Sequence, residues 1–380
     1  MSIEILPVRD PGEVERFIDV PWSLFDDPGY PQWVPPLRRA VRRILDPGLN
    51  PFFRHARTQL WIAERRGAPV GRIAAIENGW HNEFYGDRTG FFGFFECADD
   101  TEAARALFDA AADWLLHRDL TSIQGPFNPS SNYEIGQLVE GFQHVPTFMT
   151  AWNPPYYAGL MERAGFSKER DLLAWRHRVD ELPDDFERHL RVLSRRVVER
   201  MSLRVRRLNL SDFDAFAEEA WGVYTSAWRG NWGFCPLELE EFRFIAGELR
   251  PLLIPEGTIG VEDRDGNLVG FTVIVPDYNR ALLGNRNGRL LPLGWLRILL
   301  ARRRSPWVRS MLTGVLERYQ KKGVLPVILY EALRRAPEFG VTNAEFSWVL
   351  EDNDDANRTL ENAGGEVYRR WRIYERDLRN

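Results

Sequence analysis

The chain has 380 residues, 44% hydrophobic and 28% charged, with a formal net charge of −5. That length and balance suit a soluble globular protein with two ordinary cores, and the negative charge argues against a general nucleic-acid binder. Cys97 and Cys235 stand far apart without metal spacing, so a reducing compartment and no metal site are expected.

In chain order, Ile3–Val8 reads as a short strand, and no basic stretch followed by an apolar one marks a secretory signal. Residues 62–76 (IAERRGAPVGRIAAI) carry a β-hairpin pattern whose second strand opens with Val70-Gly71. A strand over Phe91–Glu96 leads to a helix over Thr101–Leu116, with apolar residues at Ala104, Leu107, Phe108, Ala111 and Leu115. A helix ending Leu160-Met-Glu-Arg-Ala is stopped by Gly165. Leu182–Met201 is a charged helix that links two halves.

The pattern then starts again. Ser202-Leu203-Arg204-Val205 repeats Ser2-Ile3-Glu4-Ile5, and residues 260–274 (GVEDRDGNLVGFTVI) repeat the hairpin with Val269-Gly270. Pro326–Ala336 takes the place of the Thr101 helix, and Leu360-Glu-Asn-Ala-Gly364 repeats the Gly-stopped helix end. Gly71 precedes Gly270 by the same spacing that separates Gly165 from Gly364, so the chain is a tandem duplication. The expected domains are 1–180, a linking helix at 181–201, and 202–380. Each copy is expected to be α/β (α+β), a mixed, mostly antiparallel sheet flanked by helices. The apolar run Leu290–Ala301 is shorter than the roughly 18 residues a spanning helix needs and carries Arg297.

Gln320-Lys321-Lys322-Gly323-Val324 lies between a strand and a helix, where backbone N–H groups can face a pyrophosphate and two lysines add charge. Asn353-Asp-Asp-Ala356 opens a helix that ends at Gly364. Together they resemble the cofactor loop and the Asn-x-x-Ala signature of the GNAT (GCN5-related N-acetyltransferase) superfamily. That resemblance implies a CoA thioester as co-substrate, held by Gln320, Lys321, Lys322, Gly323, Val324 and Asn353. Asn353 is equally explained as a helix cap. Leu325 and Pro326 depart from the loop pattern, and Leu360 stands where an acid tyrosine is common, leaving that role unassigned.

Asn50-Pro51-Phe52-Phe53, Thr89-Gly90-Phe91-Phe92-Gly93-Phe94-Phe95-Glu96, Gly125-Pro126-Phe127-Asn128, Asn153-Pro154-Pro155-Tyr156-Tyr157 and Phe346-Ser347-Trp348-Val349-Leu350-Glu351-Asp352-Asn353 span both copies. They are similar to a YghO-like group of bacterial tandem acyltransferases and, more loosely, to bacterial ceramide synthases. The implied activity is transfer of an acyl group, long-chain in the ceramide synthases, from CoA to an amine acceptor such as a sphingoid or other lipid amine. An aminoacyl-tRNA-dependent transferase and a non-catalytic acyl-CoA-binding regulator are the alternatives. A cytoplasmic location is expected.

In the first copy, Cys97-Ala98-Asp99-Asp100 replaces the glycine turn, and its carboxylates suit helix caps but would repel a pyrophosphate. CoA is therefore assigned to the second copy, and Gly323→Asp is expected to weaken its binding with little loss of fold. Candidate substrate contacts are Asn128, Asn132 and Glu134 in a polar loop, Tyr156 and Tyr157, and Tyr224, Trp228, Asn231 and Trp232. Turn chemistry and packing account for each equally well. Acyl transfer to an amine needs a base, for which Glu345, Glu351 and Asp352 are candidates, with Glu345 and Glu351 on one face by strand alternation. His81 and His144 are further candidates because histidine titrates near neutrality.

Between Tyr278 and Leu316 there is no acidic residue, while Arg280, Arg286, Arg289, Arg297, Arg302, Arg303, Arg304 and Arg309 alternate with leucines and Trp295. Residues 280–309 could lie on an anionic membrane surface, placing the protein peripherally on the inner membrane face. The other reading is a helix packing its leucines on the domain. Oligomeric state is not written in the sequence.

Overall fold

A computed structural model describes residues 2–303 and 305–379. The chain begins with β1 (Glu4–Pro7), α1 (Pro11–Phe25), α2 (Arg38–Leu45), β2 (Ala56–Arg65), β3 (Ala68–Asn78), α3 (Gly79–Tyr85) and β4 (Thr89–Cys97). There follow α4 (Thr101–Leu116), β5 (Ser122–Gly125), β6 (Phe127–Asn128), β7 (Glu134–Ile135), β8 (Gln137–Glu140), α5 (Tyr157–Arg163) and β9 (Ser167–Arg178). The second half holds α6 (Asp184–Met201), β10 (Arg204–Arg207), α7 (Phe213–Trp228), α8 (Leu239–Leu249), β11 (Thr258–Glu262) and β12 (Leu268–Pro276). It closes with α9 (Tyr278–Leu282), α10 (Gly294–Arg303), β13 (Trp307–Val315), α11 (Val324–Leu333), β14 (Asn343–Leu350), α12 (Asp354–Asn362) and β15 (Glu366–Asp377).

The chain forms two compact units. One gathers residues up to Leu172, Leu282–Gly294 and the segment from Arg369; the other holds Leu173–Ala281 and Trp295–Tyr368. The units thus do not follow the repeat boundaries at their ends, because the last residues of β15 (Tyr374–Asp377) pair antiparallel with β5 in the first unit.

In the first unit the strands run β1-β2-β3-β4-β5-β15, antiparallel except for the parallel pair β4·β5. Helix α4 matches the expected Thr101–Leu116 span and buries Ala104, Leu107, Phe108, Ala111 and Leu115 on its periodic face. Asp100 caps it, accepting from the N–H groups of Glu102 and Ala103. Phe108 stacks on Phe95 of β4 at 4.6 Å, and Phe92 and Phe166 meet its edges.

In the second unit the strands run β9-β14-β13-β12-β11-β10. The pairs β10·β11, β11·β12 and β12·β13 are antiparallel, β11·β12 being a hairpin, and β13·β14 is parallel. Val197 of α6 and Val324, Val327 and Ile328 of α11 form one core with Val261 and Val269 of the sheet. Phe216 of α7 meets Phe271 of β12 on the opposite face.

Candidate active site

The parallel ladder between β13 and β14 runs from Trp307·Asn343 to Ser310·Phe346 and stops, although β13 continues to Val315 and β14 to Leu350. On its other side, β13 pairs Leu312 with Val273 and Ser310 with Ile274, so Met311 is an inserted bulge residue. Bulges re-aim strands and cluster at sites of chemistry.

After β13 the chain makes a short turn, Glu317–Tyr319, and reaches the expected loop. Lys321 and Gly323 both adopt left-handed backbone conformations, at φ 58° and 95°. Gln320 Nε2 donates to Val315 O at 3.2 Å, and Arg200 of α6 donates to Lys322 O. Gly323 immediately precedes α11, and no side chain caps that helix start, so the N–H groups of Val324 and Leu325 have no side-chain acceptor, while Pro326 has no N–H to offer. A Cβ on Gly323 would stand 2.6 Å from Val197 Cγ2. Substitution there strains the fold, so the expectation that Gly323→Asp spares it is corrected by the left-handed φ and the close approach of α6.

Asn353 caps α12 by accepting from Ala356 N–H at 3.2 Å. Asn357, one turn on, donates to Leu350 O and Glu351 O and accepts from Trp175 Nε1. These bonds fix the turn that carries Glu351, half-buried, and Asp352, exposed. β14 ends at Leu350, so strand alternation does not extend to Glu351, and the two carboxylates are not brought to Glu345 by a shared strand face.

Glu345 is fully buried within β14. Ser347 Oγ donates to its Oε1 at 2.5 Å, and the Tyr368 hydroxyl donates to Oε2. Arg309, its register partner on β13, donates from Nε to Ser347 Oγ and from Nη2 to Ser347 O. The guanidinium also lies 4.8 Å over the Trp348 ring. Arg309 was expected on a membrane-facing basic segment, but it lies in β13 and is buried at 2% exposure. Its meeting with Ser347 and Tyr368 around Glu345 depends on strand register, which sequence reading does not give.

On the other face of the same strands, Val308, Ser310, Ala344 and Phe346 border an apolar cavity of about 110 Å³. Its far wall is the C-terminal half of α11 with Leu360 of α12. His177 of β9 also lines it; Nε2 donates to Leu360 O at 2.9 Å, so in the neutral ring Nδ1 is the acceptor, and it is buried without a partner. Burial holds the His177 pKa below its usual value.

Tyr224, Trp228 and Phe234 do gather, with ring centroids 5.6 and 6.0 Å from Tyr224, while Asn231 and Trp232 sit in the turn after α7. Tyr224 is buried, which pushes its hydroxyl pKa up.

In the first unit four expected residues converge at the end of β4. The Tyr157 hydroxyl donates to Glu96 and accepts from Cys97 N–H, both at 2.8 Å. Tyr156 donates to Cys97 O, and Asn128 donates to Glu134. Arg72, opposite Glu96 in register, completes the cluster at 3.8 Å. Burial pushes the Glu96 carboxyl up to about 7. Asn132 stands apart in the turn, its N–H donating to Ser130 Oγ. His81 is buried beside Phe91, and His144 lies near Gln143 at a turn.

Here too the parallel ladder stops early, at Phe91·Gln124. Beyond it, however, Asn128 Oδ1 accepts from Phe94 N–H at 2.5 Å, and a Cβ on Gly93 would stand 1.7 Å from Phe127 O. The chain's own segment Phe127–Asn128 therefore lies directly against the end of β4, and Asp100 already caps the following helix.

No family model matches the chain. It is 36% identical to protein YghO of Escherichia coli K12 over 373 residues, covering 96% of this chain and 93% of that protein. It is 35% identical to a bacterial ceramide synthase of Caulobacter vibrioides over 385 residues, covering 99% and 98%. A tandem GNAT protein from the clavulanic acid pathway has the same fold, with a TM-score of 0.58 at 12% identity and 99% of both chains covered. A probable N-acyltransferase from Enterococcus faecalis superposes with a TM-score of 0.53 at 9% identity, over 100% of this chain and 73% of that one. The duplicated sequence, the paired ladder stops and these full-length likenesses agree: the chain has the tandem GNAT fold and belongs to the family of YghO and the bacterial ceramide synthase.

Proposed function

We propose that the protein is an acyl-CoA-dependent N-acyltransferase whose second unit holds the CoA thioester, with a sphingoid or other lipid amine as acceptor. One contrast carries this reading. In the second unit the ladder stop at Ser310·Phe346 is followed by an uncapped helix start behind Gly323, whereas in the first unit Asn128 and Asp100 occupy the equivalent groups. Gln320, Lys321, Lys322, Gly323 and Val324 would cradle the pyrophosphate, with Asn353 ordering the adjoining turn. The ceramide synthase relative supports a lipid amine.

In the reaction the amine nitrogen attacks the thioester carbonyl, the C–S bond breaks, and the amine proton must leave. Glu345 accepts from both Ser347 and Tyr368, so a proton would reach it through one of those hydroxyls. Glu351 and Asp352 are the alternative bases at the strand end.

Membrane contact is part of the proposal. No helix among the described residues is long and apolar enough to cross a membrane. On α10, however, Trp295, Leu296, Leu299 and Leu300 are all exposed, on one side of the helix, with Leu300 at 59%. Arg297 and Arg302 have no ion-pair partner among the described residues, which suits an anionic surface.

The test is release of free CoA from palmitoyl-CoA on adding sphinganine, with the N-acyl product identified by mass spectrometry. Turnover with no amine, or only with charged tRNA, would sink the reading.

A further inference from the structure

The geometry points to the apolar cavity of the second unit as the receptacle for the hydrocarbon tail of the acyl group, making the protein selective for acyl chains well beyond acetyl. This rests on the reading that the second unit binds a CoA thioester.

The cavity starts where the β13·β14 ladder ends: Ser310 and Phe346, the last pair, both line it. A chain attached to a thioester held at that ladder stop needs only to continue past the last pair to enter it. Its walls are hydrocarbon: Ile274, Val308 and Phe346 from the sheet, Ile328 and Leu333 from α11, and Leu360 from α12. The hydroxyls on the sheet side are already engaged with one another. Thr272 bonds Thr313 at 2.8 Å, and Ser310 lies 3.2 Å from Thr313. His177 gives its one proton to Leu360 O. Arg335 also borders the space; its Nε lies 3.8 Å from Glu331, and Nε and Nη1 are buried without a hydrogen-bond partner among the described residues.

Size narrows the ligand. About 110 Å³ is somewhat less than the ~150 Å³ cavity that takes up benzene, so several methylenes fit and a polar head group does not. Each methylene moved from water into such a site raises affinity roughly fourfold.

The experiment measures binding of CoA, acetyl-CoA, octanoyl-CoA and palmitoyl-CoA to the full chain by calorimetry, in the wild type and in Ala332→Phe and Ala344→Leu, which fill the cavity from opposite walls. Octanoyl-CoA and palmitoyl-CoA are expected to bind at least tenfold more tightly than acetyl-CoA. Each variant should lose that preference while keeping the acetyl-CoA affinity and a cooperative thermal transition. Equal wild-type affinity for all chain lengths overturns the cavity assignment and leaves the CoA reading standing. No binding of any thioester overturns the CoA reading itself. Variants that keep the acyl-chain preference but lose sphinganine binding would give the cavity to the acceptor and overturn the proposal. If both variants fail to fold, the wild-type chain-length series decides alone.

Discussion

Arg309 and Glu345 are register partners on parallel strands, buried to 2% and 0% exposure, with the guanidinium Nε 4.0 Å from the carboxylate. Ser347 bonds both, so charge, hydroxyl and strand register lock together where the ladder ends. Removing one member of such a pair strands a buried charge, so Arg309→Met should destabilise the protein by about 3–5 kcal/mol in urea unfolding. Tyr368→Phe keeps the packing and removes the hydroxyl on Glu345. If that hydroxyl carries the amine proton, kcat should fall about 10²-fold with KM little changed. An unaltered kcat would remove Tyr368 from the proton path and leave Ser347 as the remaining hydroxyl on Glu345.

Glu96 gives the first unit a pH signature. Its folded pKa, about 7, stands above the ordinary carboxyl value of about 4.5, so the folded state holds a proton that the unfolded state releases. Stability should therefore decline as pH rises from about 4.5 to about 7, by on the order of 1–3 kcal/mol. Glu96→Gln should flatten this decline, gaining stability at pH 8 and little at pH 4. Parallel urea titrations at both pH values check it, and an unchanged wild-type slope in the variant would refute it.

Buried histidine works in the opposite direction. The folded pKa of His177 lies below the ordinary value, so the unfolded chain takes up its proton first as pH falls below about 6.5, and stability drops. His177→Phe should lessen the loss of thermal stability between pH 7.5 and pH 5.5.

Gly323 tests the anion loop in two parts. Gly323→Ala must adopt φ 95° and place a methyl 2.6 Å from Val197, which should cost about 1–2 kcal/mol or more. Adding Val197→Ala should relieve the contact but not the backbone strain. Recovery of full stability in the double variant would show that the left-handed turn is not required.

The exposed face of α10 predicts sedimentation with anionic vesicles at low salt and release at high salt. Leu299→Asp with Leu300→Asp, both on the exposed side, should abolish sedimentation without altering the melting temperature. Equal binding to neutral vesicles, or none to anionic ones, would end the membrane reading.

Local pattern was enough to place α4 over Thr101–Leu116, the charged helix ending at Met201, both hairpins and the Gly323 turn. Such features depend on residue spacing, capping and turn chemistry, all carried by neighbours in sequence. Asn353 as a cap was legible for the same reason. The duplication was legible because the two copies still share their glycine positions.

What only the tertiary structure decided was which side chains meet. That Asn128 reaches the end of β4, that Arg309 faces Glu345, and that residues from Arg369 join the first unit all follow from strand register. A one-residue slip would turn each side chain to the other face. The sequence by itself determined the duplicated fold and its loop chemistry. The folded chain decided which copy keeps its ladder opening and where a cavity forms, because both depend on packing between residues far apart in sequence.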